Sequence, residues 1–288
     1  MTRPLGTRVL TAALLALLAI PATAAEVKRL DIVDARKASS QPKICCLSGA
    51  DTSPSGALLI VSDKSTLFEA QLDVSAGTLT LTSSTPLTLS NGAPVPGGRA
   101  DAEGVAIDIS GATHISFEGR HRVALYDGAR GVSSAPAPSK LNLPENGGLE
   151  ALAVDAAGAL WAIPETATGT GFPLLKYADD QWETVDTLPA SGGYLPVGAD
   201  FDASGALYVL ERRFSFFQFR SRVRRLTLGA GGIVATGTVW ESETGAFDNL
   251  EALVVVESAG QPKALLMISD DNAMPFQETQ ALLLALSE

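Results

Sequence analysis

Five segments, about 50 residues apart, repeat one pattern of strand, glycine turn and strand, and this repetition predicts an all-β propeller. The segments read LSGADTSPSGALLIVSD, AEGVAIDISGATHISFE, LEALAVDAAGALWAIPE, PVGADFDASGALYVLER and LEALVVVESAGQPKALLMISDD. A third apolar stretch follows each hairpin, and a fourth follows most of them. Because four short antiparallel strands make one blade, we expect five blades of four strands.

The two ends of the repeat array predict how the ring closes. The last repeat stops after three strands, whereas the strand VKRLDIVDAR, from Val27, stands alone before the first repeat. We expect this N-terminal strand to complete the last blade, since closure leaves no open sheet edge. The weak fourth strand of the second repeat, SAPAPSKLNLP, leaves a count of six blades open. With no linker between repeats, residues 25–288 are predicted to form a single propeller domain.

Residues 1–24, ahead of the repeats, have the pattern of a Sec signal peptide. Arg3 and Arg8 precede an apolar run from Val9 to Ile20, and small residues follow it at 22–24. The run is shorter than the roughly 20 residues that a membrane span needs, and no second run of that length occurs later. We therefore expect a periplasmic or secreted protein without a membrane span.

Charge and cysteine content narrow the range of partners and of covalent links. The chain carries a formal net charge of −11, which disfavours nucleic acid as a partner. The only cysteines, Cys45 and Cys46, are adjacent, so they do not staple distant segments. They are interpreted either as a redox or metal-binding thiol pair or as small buried side chains. The second interpretation is favoured, because two thiols without CxxC spacing give incomplete ligation.

Acidic residues occupy two positions of almost every repeat. Because the first two strands of a blade are antiparallel, the start of the first and the end of the second lie at one end of the propeller. The strand starts carry Glu103, Glu150 and Glu251, with Ser48 and Val197 in the other repeats. The strand ends carry Asp63, Glu118, Glu165, Glu211 and the pair Asp270-Asp271. These side chains are therefore predicted to form an acidic rim around the mouth of the central channel.

Carboxylates that converge in this way need positive charge beside them. A hard divalent cation, Ca²⁺ by ligand preference, is one source. Its predicted ligands are carboxylates and amides: Glu103, Glu150, Glu251, Asp270, Asn249 and Asn272. The second source is internal, because basic residues directly follow two of the acids: Arg120, His121, Arg212 and Arg213. Ion pairs with these residues would neutralise the rim without a metal.

Each of these sets also has a structural interpretation. Glutamates at repeated strand starts can accept backbone hydrogen bonds from the adjacent blade and tie the ring together. Glu118 and Glu211 are favoured for function, because the arginines beside them can hold a phosphate or a carboxylate. His121 is a candidate base, with a solvated surface histidine as the alternative. Three aspartates before turn glycines are expected to bond to the backbone: Asp108, Asp155 and Asp202.

Several short motifs follow one another along the chain in a distinctive order. They are LSGAD, DAEGVAID, SFEGR, NGGLEALAVD, VLERRF, DNLEALVV and ISDDNAMPFQETQALLLAL. From about Ile44 to the C-terminus, this order resembles that of the phytase-like family of exported bacterial proteins, described as having the esterase-like activity of phytase. Cys45 and Cys46 depart from the small glycines that the family pattern leads one to expect before LSG. The resemblance implies hydrolysis of a phosphoester or other ester, although no motif explains that chemistry.

The leading hypothesis is a monomeric, metal-dependent hydrolase that acts on a small anionic or ester substrate at the channel mouth. The carboxylates hold the cation, Arg120 and Arg212 clamp the anionic group, and Glu118 or Glu211 is the general base. The sequence has no G-x-S-x-G, H-E-x-x-H or P-loop, which disfavours a serine triad, a zincin site and Walker-type nucleotide binding. The alternative is a non-catalytic propeller that binds a ligand or a cell-envelope partner on the same rim. A lactonase or sugar-acid hydrolase is a third hypothesis, by analogy with metal-bearing propellers.

Overall fold

The structure of the protein, a computed structural model, describes residues 26–36, 41–97, 100–138, 141–258 and 260–286. These residues form twenty β-strands and no α-helix, which confirms the all-β prediction. The predicted signal peptide, residues 1–24, lies outside the described residues. Within the described part of the chain, no helix has the length and apolar character that a bilayer crossing requires.

The strands follow one another through the whole of the described chain. They are β1 (Val27–Asp34), β2 (Leu47–Thr52), β3 (Leu58–Ser62), β4 (Thr66–Asp73), β5 (Thr78–Pro86), β6 (Ala102–Ile107), β7 (Thr113–Phe117), β8 (Arg122–Asp127), β9 (Arg130–Pro136), β10 (Ala151–Val154), β11 (Leu160–Ile163), β12 (Gly171–Ala178), β13 (Gln181–Pro189), β14 (Leu195–Phe201), β15 (Ala206–Ser215), β16 (Gln218–Gly229), β17 (Gly232–Glu241), β18 (Asn249–Ser258), β19 (Gln261–Asp270) and β20 (Ala281–Ala285).

The strands are arranged in one eight-stranded sheet and three four-stranded sheets. The four-stranded sheets are β6 to β9, β10 to β13 and β14 to β17, each in sequence order. In the large sheet, β18, β19, β20 and β1 are followed by β5, β4, β3 and β2. Strand β1 pairs antiparallel with β20, with Leu30 opposite Ala281, and parallel with β5, with Asp31 opposite Thr78. The predicted pairing of the N-terminal strand with the last repeat is therefore confirmed.

The first strand of each repeat lies at the centre of the molecule. β2 contacts β6, β6 contacts β10, β10 contacts β14, β14 contacts β18, and β18 contacts β2. The five strands thus form a closed ring, and the cavity between them holds only about 10 Å³. This ring makes the fold propeller-like, with the start of every inner strand at the same end of a narrow axis.

Glycines in the inner strands allow this close approach. A Cβ on Gly49 would lie 2.1 Å from the carbonyl oxygen of Glu103, and one on Gly104 would lie 2.6 Å from that of Glu150. Both distances are far shorter than a van der Waals contact, so any side chain there would push the strands apart. Each glycine directly follows a strand-start position of its repeat, and the tight ring therefore also brings the acidic side chains together.

Apolar side chains fill the space between neighbouring sheets. Ile60 and Phe68 of the first repeat, for example, pack in one buried layer with Leu266 and Ile268 of the last. Burial of each such side chain contributes about 1.5–3 kcal/mol. Because every sheet is held by two neighbours in this way, the strand ends around the axis are fixed relative to one another.

The turns between the first two strands of the repeats have the predicted side-chain to backbone bonds. The Asp202 carboxylate accepts hydrogen bonds of 2.9 Å from the backbone N–H groups of Ser204 and Ala206. Asp108 and Asp155 accept equivalent bonds from the residues two and four positions later. The prediction that these three aspartates bond to the backbone of their turns is confirmed.

Candidate functional site

The ends of the second strands meet the starts of the first strands, as the repeat pattern predicts. In the second repeat, the backbone N–H of Glu118 donates to the carbonyl of Asp101 at 2.9 Å. One carboxylate oxygen from each of Asp101, Glu103 and Glu118 lies within 4.8 Å of the other two. Three carboxylates from one repeat therefore share a space about the size of a hydrated ion.

Burial and mutual repulsion raise the pKa values of this group. The pKa of Glu103 is well above its usual value, first because burial disfavours the charge and then because Glu251, Asp101 and Glu118 repel it. The pKa of Glu150 is also raised well above its usual value by burial, with repulsion from Glu103 and Glu118. These carboxyl groups therefore hold their protons more strongly than exposed ones do, unless a cation is present.

The last repeat supplies a second set of groups to the same mouth. Burial raises the pKa of Glu251 to about 8, with Arg212 opposing the shift, and Glu251 accepts a 2.7 Å hydrogen bond from the Asn249 amide. Burial raises the pKa of Asp270 to about 6, although the backbone N–H of Asn272 donates to it at 2.7 Å. Both acids therefore change charge near neutral pH.

Arg212 is a half-buried cation among these acids, in addition to the exposed Lys64, which pairs with Asp63 at 2.9 Å. Its guanidinium donates to the Asn249 side-chain oxygen at 2.6 Å and to Glu165 at 3.2 Å, and it lies 3.4 Å from Glu251. Burial lowers the pKa of Arg212, but Glu251 and Glu165 more than offset this effect, so the net shift is upward. The predicted internal neutralisation of the rim is therefore seen at this arginine.

The carboxylate of Glu118 is held by a glycine turn of the next repeat. The N–H groups of Gly147 and Gly148 both donate to its Oε1, the first at 2.6 Å. A Cβ on Gly148 would lie 3.2 Å from that oxygen and 2.5 Å from His121 Nδ1, so both side chains pack against this glycine. His121 Nε2 lies 2.7 Å from the Pro144 carbonyl oxygen, and His121 Nδ1 is buried with no hydrogen-bond partner among the described residues.

Glu211 lies apart from this group, although it occupies the same repeat position as Glu118. Its side chain has no exposed surface. One oxygen accepts from Arg222 Nε at 2.5 Å and from Arg224 Nε at 2.8 Å, and the other accepts from a second nitrogen of Arg224. The structure thus holds this carboxylate in a buried ion pair within one sheet.

Two other predicted residues are exposed at the edge of the mouth. Arg120 lies on the turn after β7, where its backbone N–H donates to the carbonyl of Glu118 at 2.7 Å. Asn272 follows the Asp270-Asp271 pair and has a φ of 47°. Neither side chain lies inside the acidic group, and their predicted roles remain predictions.

The cysteines lie beside this mouth, directly before β2. Cys46 is buried and Cys45 is half-buried; both are free thiols, with their sulfurs 3.0 Å apart. The Asp271 carboxylate accepts from the backbone N–H of Cys46 at 3.1 Å. Burial, with the neighbouring thiol and Asp63, raises the pKa of Cys46. Cys45, Cys46 and Asp271 also each place one ligand-type atom within 4.8 Å of the other two, so the thiol-pair and the buried-side-chain interpretations both remain predictions.

Three acids of the site were missing from the predicted ligand sets. Asp63 and Glu165 stand at predicted strand ends, and Asp101 stands two residues before Glu103, as Asn249 does before Glu251. Because residues two apart share one face of a strand, this spacing is a signal that would have identified Asp101.

The oxygen-rich group fits a hard divalent cation. Asp101, Glu103 and Glu118 converge, and the lysine nearby, Lys64, pairs with Asp63 rather than with these three carboxylates. Asp63 Oδ1, whose charge also raises the pKa of Asp101, is buried and has no hydrogen-bond partner in the described chain. Carboxylate oxygens with unused acceptor capacity are the ligands that Ca²⁺ prefers.

Comparisons with known proteins identify the family and a similar fold. A family model described as "Phytase-like: Esterase-like activity of phytase" matches residues 43–273, which is most of the chain. No curated protein matches the chain. Among solved structures, a Trichoderma reesei carbohydrate-active enzyme of family AA12 is similar at a TM-score of 0.50, with 10% identity over 93% of this chain and 97% of that chain.

Two further solved structures are similar at lower TM-scores. A gluconolactonase from Xanthomonas campestris has a TM-score of 0.48, with 12% identity over 84% of this chain and 86% of that chain. Kuenenia stuttgartiensis hydrazine synthase has a TM-score of 0.46, with 13% identity over 77% of this chain, which spans 61% of that protein's chain. At such identities the likeness concerns the fold alone.

Proposed function

This chain belongs to the phytase-like family, and from that premise we propose that it is an exported hydrolase that cleaves a phosphoester or another ester at the acidic mouth of a five-bladed propeller. The observation that carries the proposal is the position of Arg212, which lies ion-paired among carboxylates of other repeats. A cation site and an anion-binding guanidinium then lie side by side. The ring of five inner strands supports the blade count, with β1 completing the fifth blade.

The roles follow from the contacts of each group. Asp101 and Glu103, whose carboxylates converge, would hold a divalent cation, Ca²⁺ by donor type, which when bound polarises a substrate oxygen and lowers the pKa of a water. Glu150, which Glu103 repels, is the proposed third ligand. Arg212 binds the anionic oxygens of the substrate through the part of its side chain that is exposed, 23%, while Asn249 and Glu165 orient its guanidinium. Such a preorganised fork binds phosphate or carboxylate in two-point contact.

Glu118 is the proposed general base. Its carboxylate lies within 4.8 Å of those of Asp101 and Glu103, and the two glycine N–H groups fix its orientation. A positioned base of this kind contributes about 10²–10⁴-fold to the rate. Glu211, the other predicted base, has both oxygens bound to arginines.

Metal analysis and a hydrolysis panel test the proposal on protein purified after expression of the full chain. The panel contains p-nitrophenyl phosphate, p-nitrophenyl esters and a sugar lactone. Arg212→Lys keeps the charge but removes the planar fork, and is expected to lower kcat/KM by about 10²-fold. Arg225→Lys is the matched control, since Arg225 bonds to Tyr208 near the other end of β15.

One result would replace the proposal with its alternative. If the purified protein binds no divalent cation and hydrolyses no member of the panel, the chain is better described as a non-catalytic ligand-binding propeller. Cell fractionation tests the export part separately, with the protein expected in the periplasm or the medium.

A further inference from the structure

An aromatic groove lies beside the acidic mouth. It has a volume of about 700 Å³ and runs between the β15–β16 hairpin and the loop from β19 to β20. Phe214 and Phe217 stand on the hairpin side, and Met274 and Phe276 stand on the loop side. Phe217 is 94% exposed and Phe276 is 79% exposed. Adjacent apolar side chains that remain this exposed mark a binding surface.

The hairpin displays its aromatic rings at a conformational cost. Phe216 and Phe217 form the two-residue turn between β15 and β16, with φ values of 51° and 61°. Such turns favour asparagine and glycine, because a positive φ is unfavourable for bulky side chains. Phe214 packs on Phe219 across the hairpin with ring centroids 4.8 Å apart, and meets the ring of Phe217 edge-on. The turn is therefore built to present aromatic surface rather than to close the hairpin at least cost.

The groove is lined by residues that are chain neighbours of the proposed catalytic site. Phe214 and Arg212 are two residues apart on β15, so both side chains project from one face of the strand. Asp248 lines the groove, and the next residue, Asn249, accepts the hydrogen bond from Arg212. Asn272 also lines the groove, while its backbone N–H bonds to Asp270. A ligand whose polar group meets Arg212 would extend its remaining part along the aromatic wall.

We propose that this groove binds an apolar acyl or aryl chain of the substrate, so that the preferred substrates are esters with a long apolar part. The inference rests on the proposed function. The volume favours this occupant, because small-molecule sites usually measure about 300–1,000 Å³ and are concave, apolar and joined to a few polar groups. A protein partner would need a broader surface, of about 800 Å² on each side.

Ester hydrolysis with increasing chain length tests the inference. Purified protein is assayed on p-nitrophenyl acetate, butyrate and octanoate. KM is expected to fall with each added methylene, by at most about fourfold, until the groove is filled. Phe217→Ser and Phe276→Ser should each raise KM for the octanoate about tenfold, while kcat and KM for the acetate stay unchanged. Ile109→Ser is the control, since Ile109 is 85% exposed on a distant turn.

The possible failures are distinguishable. The groove inference is overturned if KM does not depend on chain length, or if both phenylalanine variants have the wild-type KM for the octanoate. Either result leaves the proposed function standing. If no carboxylic ester is cleaved, the proposed function is restricted to phosphoesters, or fails if the rest of the panel is also left intact, and binding of a dansylated long-chain fatty acid tests the groove alone. Binding that weakens in both serine variants but not in Ile109→Ser supports an apolar-chain site. The inference is overturned if the wild-type protein fails to bind that probe, or if the variants change only self-association or liposome binding.

Discussion

The guanidinium of Arg212 donates a 2.6 Å hydrogen bond to the side-chain oxygen of Asn249, and this bond joins the second strand of one repeat to the first strand of the next. Asn249 in turn donates to Glu251 at 2.7 Å. The same contacts therefore hold two sheets together and orient a guanidinium among the acids of the mouth. Stability and the proposed chemistry depend on one network.

The stability of the metal-free protein should fall as the pH rises. The folded-state pKa of Glu251 is about 8, against 4.5 for a free glutamate, and that of Asp270 is about 6, against 3.8. For each group, at a pH between its unfolded and its folded pKa, the folded state binds more protons than the unfolded state. The stability that each group contributes is therefore fully present below its unfolded pKa and is lost as the pH rises through its folded pKa. We expect Tm in a chelator to fall by about 5 °C or more between about pH 5 and about pH 8.

Two additions sharpen this pH experiment. Ca²⁺ at about pH 8 should restore much of the lost Tm, because binding to the folded state alone stabilises it. Glu251→Gln removes one titrating group and should flatten the curve. A Tm that rises steadily across the range would contradict the raised pKa values.

Removal of the buried ion pair at Glu211 should lower the free energy of unfolding without a specific effect on turnover. Glu211→Gln leaves Arg222 and Arg224 buried without a counter-charge, and is expected to lower the free energy of unfolding by about 3 kcal/mol in urea titrations. Glu278→Gln is the control, because its pair with Arg29 is exposed and contributes at most about 0.5 kcal/mol. A variant that stays stable but loses turnover would instead support the catalytic role predicted from sequence.

Glu118→Gln tests whether turnover requires the negative charge of Glu118 rather than its hydrogen bonds to the glycine turn. The glutamine oxygen can still accept from Gly147 and Gly148, so Tm should change by no more than about 2 °C, whereas turnover should fall by about 10²-fold or more. Relief of repulsion should also lower the pKa of Glu103 and Glu150. Glu145→Gln is the control, since Glu145 is exposed in the neighbouring loop. Equal turnover in the two variants would exclude Glu118 as the base.

A side chain on an inner-strand glycine should loosen the ring. Gly104→Ala places a Cβ 2.6 Å from the Glu150 carbonyl oxygen and 2.6 Å from the Leu152 Cβ, so the strands must separate, at a cost of about 1–3 kcal/mol. Gly237→Ala meets nothing within 4 Å and should change stability little. Chemical denaturation measures both, and equal midpoints would contradict the close approach of the inner strands.

Repeat position predicts where an acid stands but not what it touches. Glu118 and Glu211 occupy the same position, yet Glu118 bonds to a glycine turn of the next repeat, whereas Glu211 bonds to two arginines of β16. The sequence pattern of the first two strands of a repeat does not predict which side chains of the third strand will contact the acid. Sequence alone therefore predicts either residue as the general base.

Arg120 and Arg212 show how strand length decides a side chain's direction. Strand β15 continues to Ser215, so Arg212 remains in regular alternation and projects into the mouth. Strand β7 ends at Phe117, and Gly119 then adopts a φ of 66°. Arg120 therefore leaves on an exposed turn. The short sequence around each arginine looks alike, and only the neighbouring strands distinguish the two.

Local patterns in the chain predict the all-β repeat, the pairing of the N-terminal strand with the last repeat, the aspartate turns and the two positions that carry acids, because strand alternation and turn chemistry are local. Which acids meet depends instead on contacts between sheets. Arg212 reaches Glu165 across 47 residues of chain and Asn249 across 37, and such contacts depend on how neighbouring sheets pack around the axis. Charges that lie far apart along the chain become one site because glycine-lined inner strands leave almost no space between them.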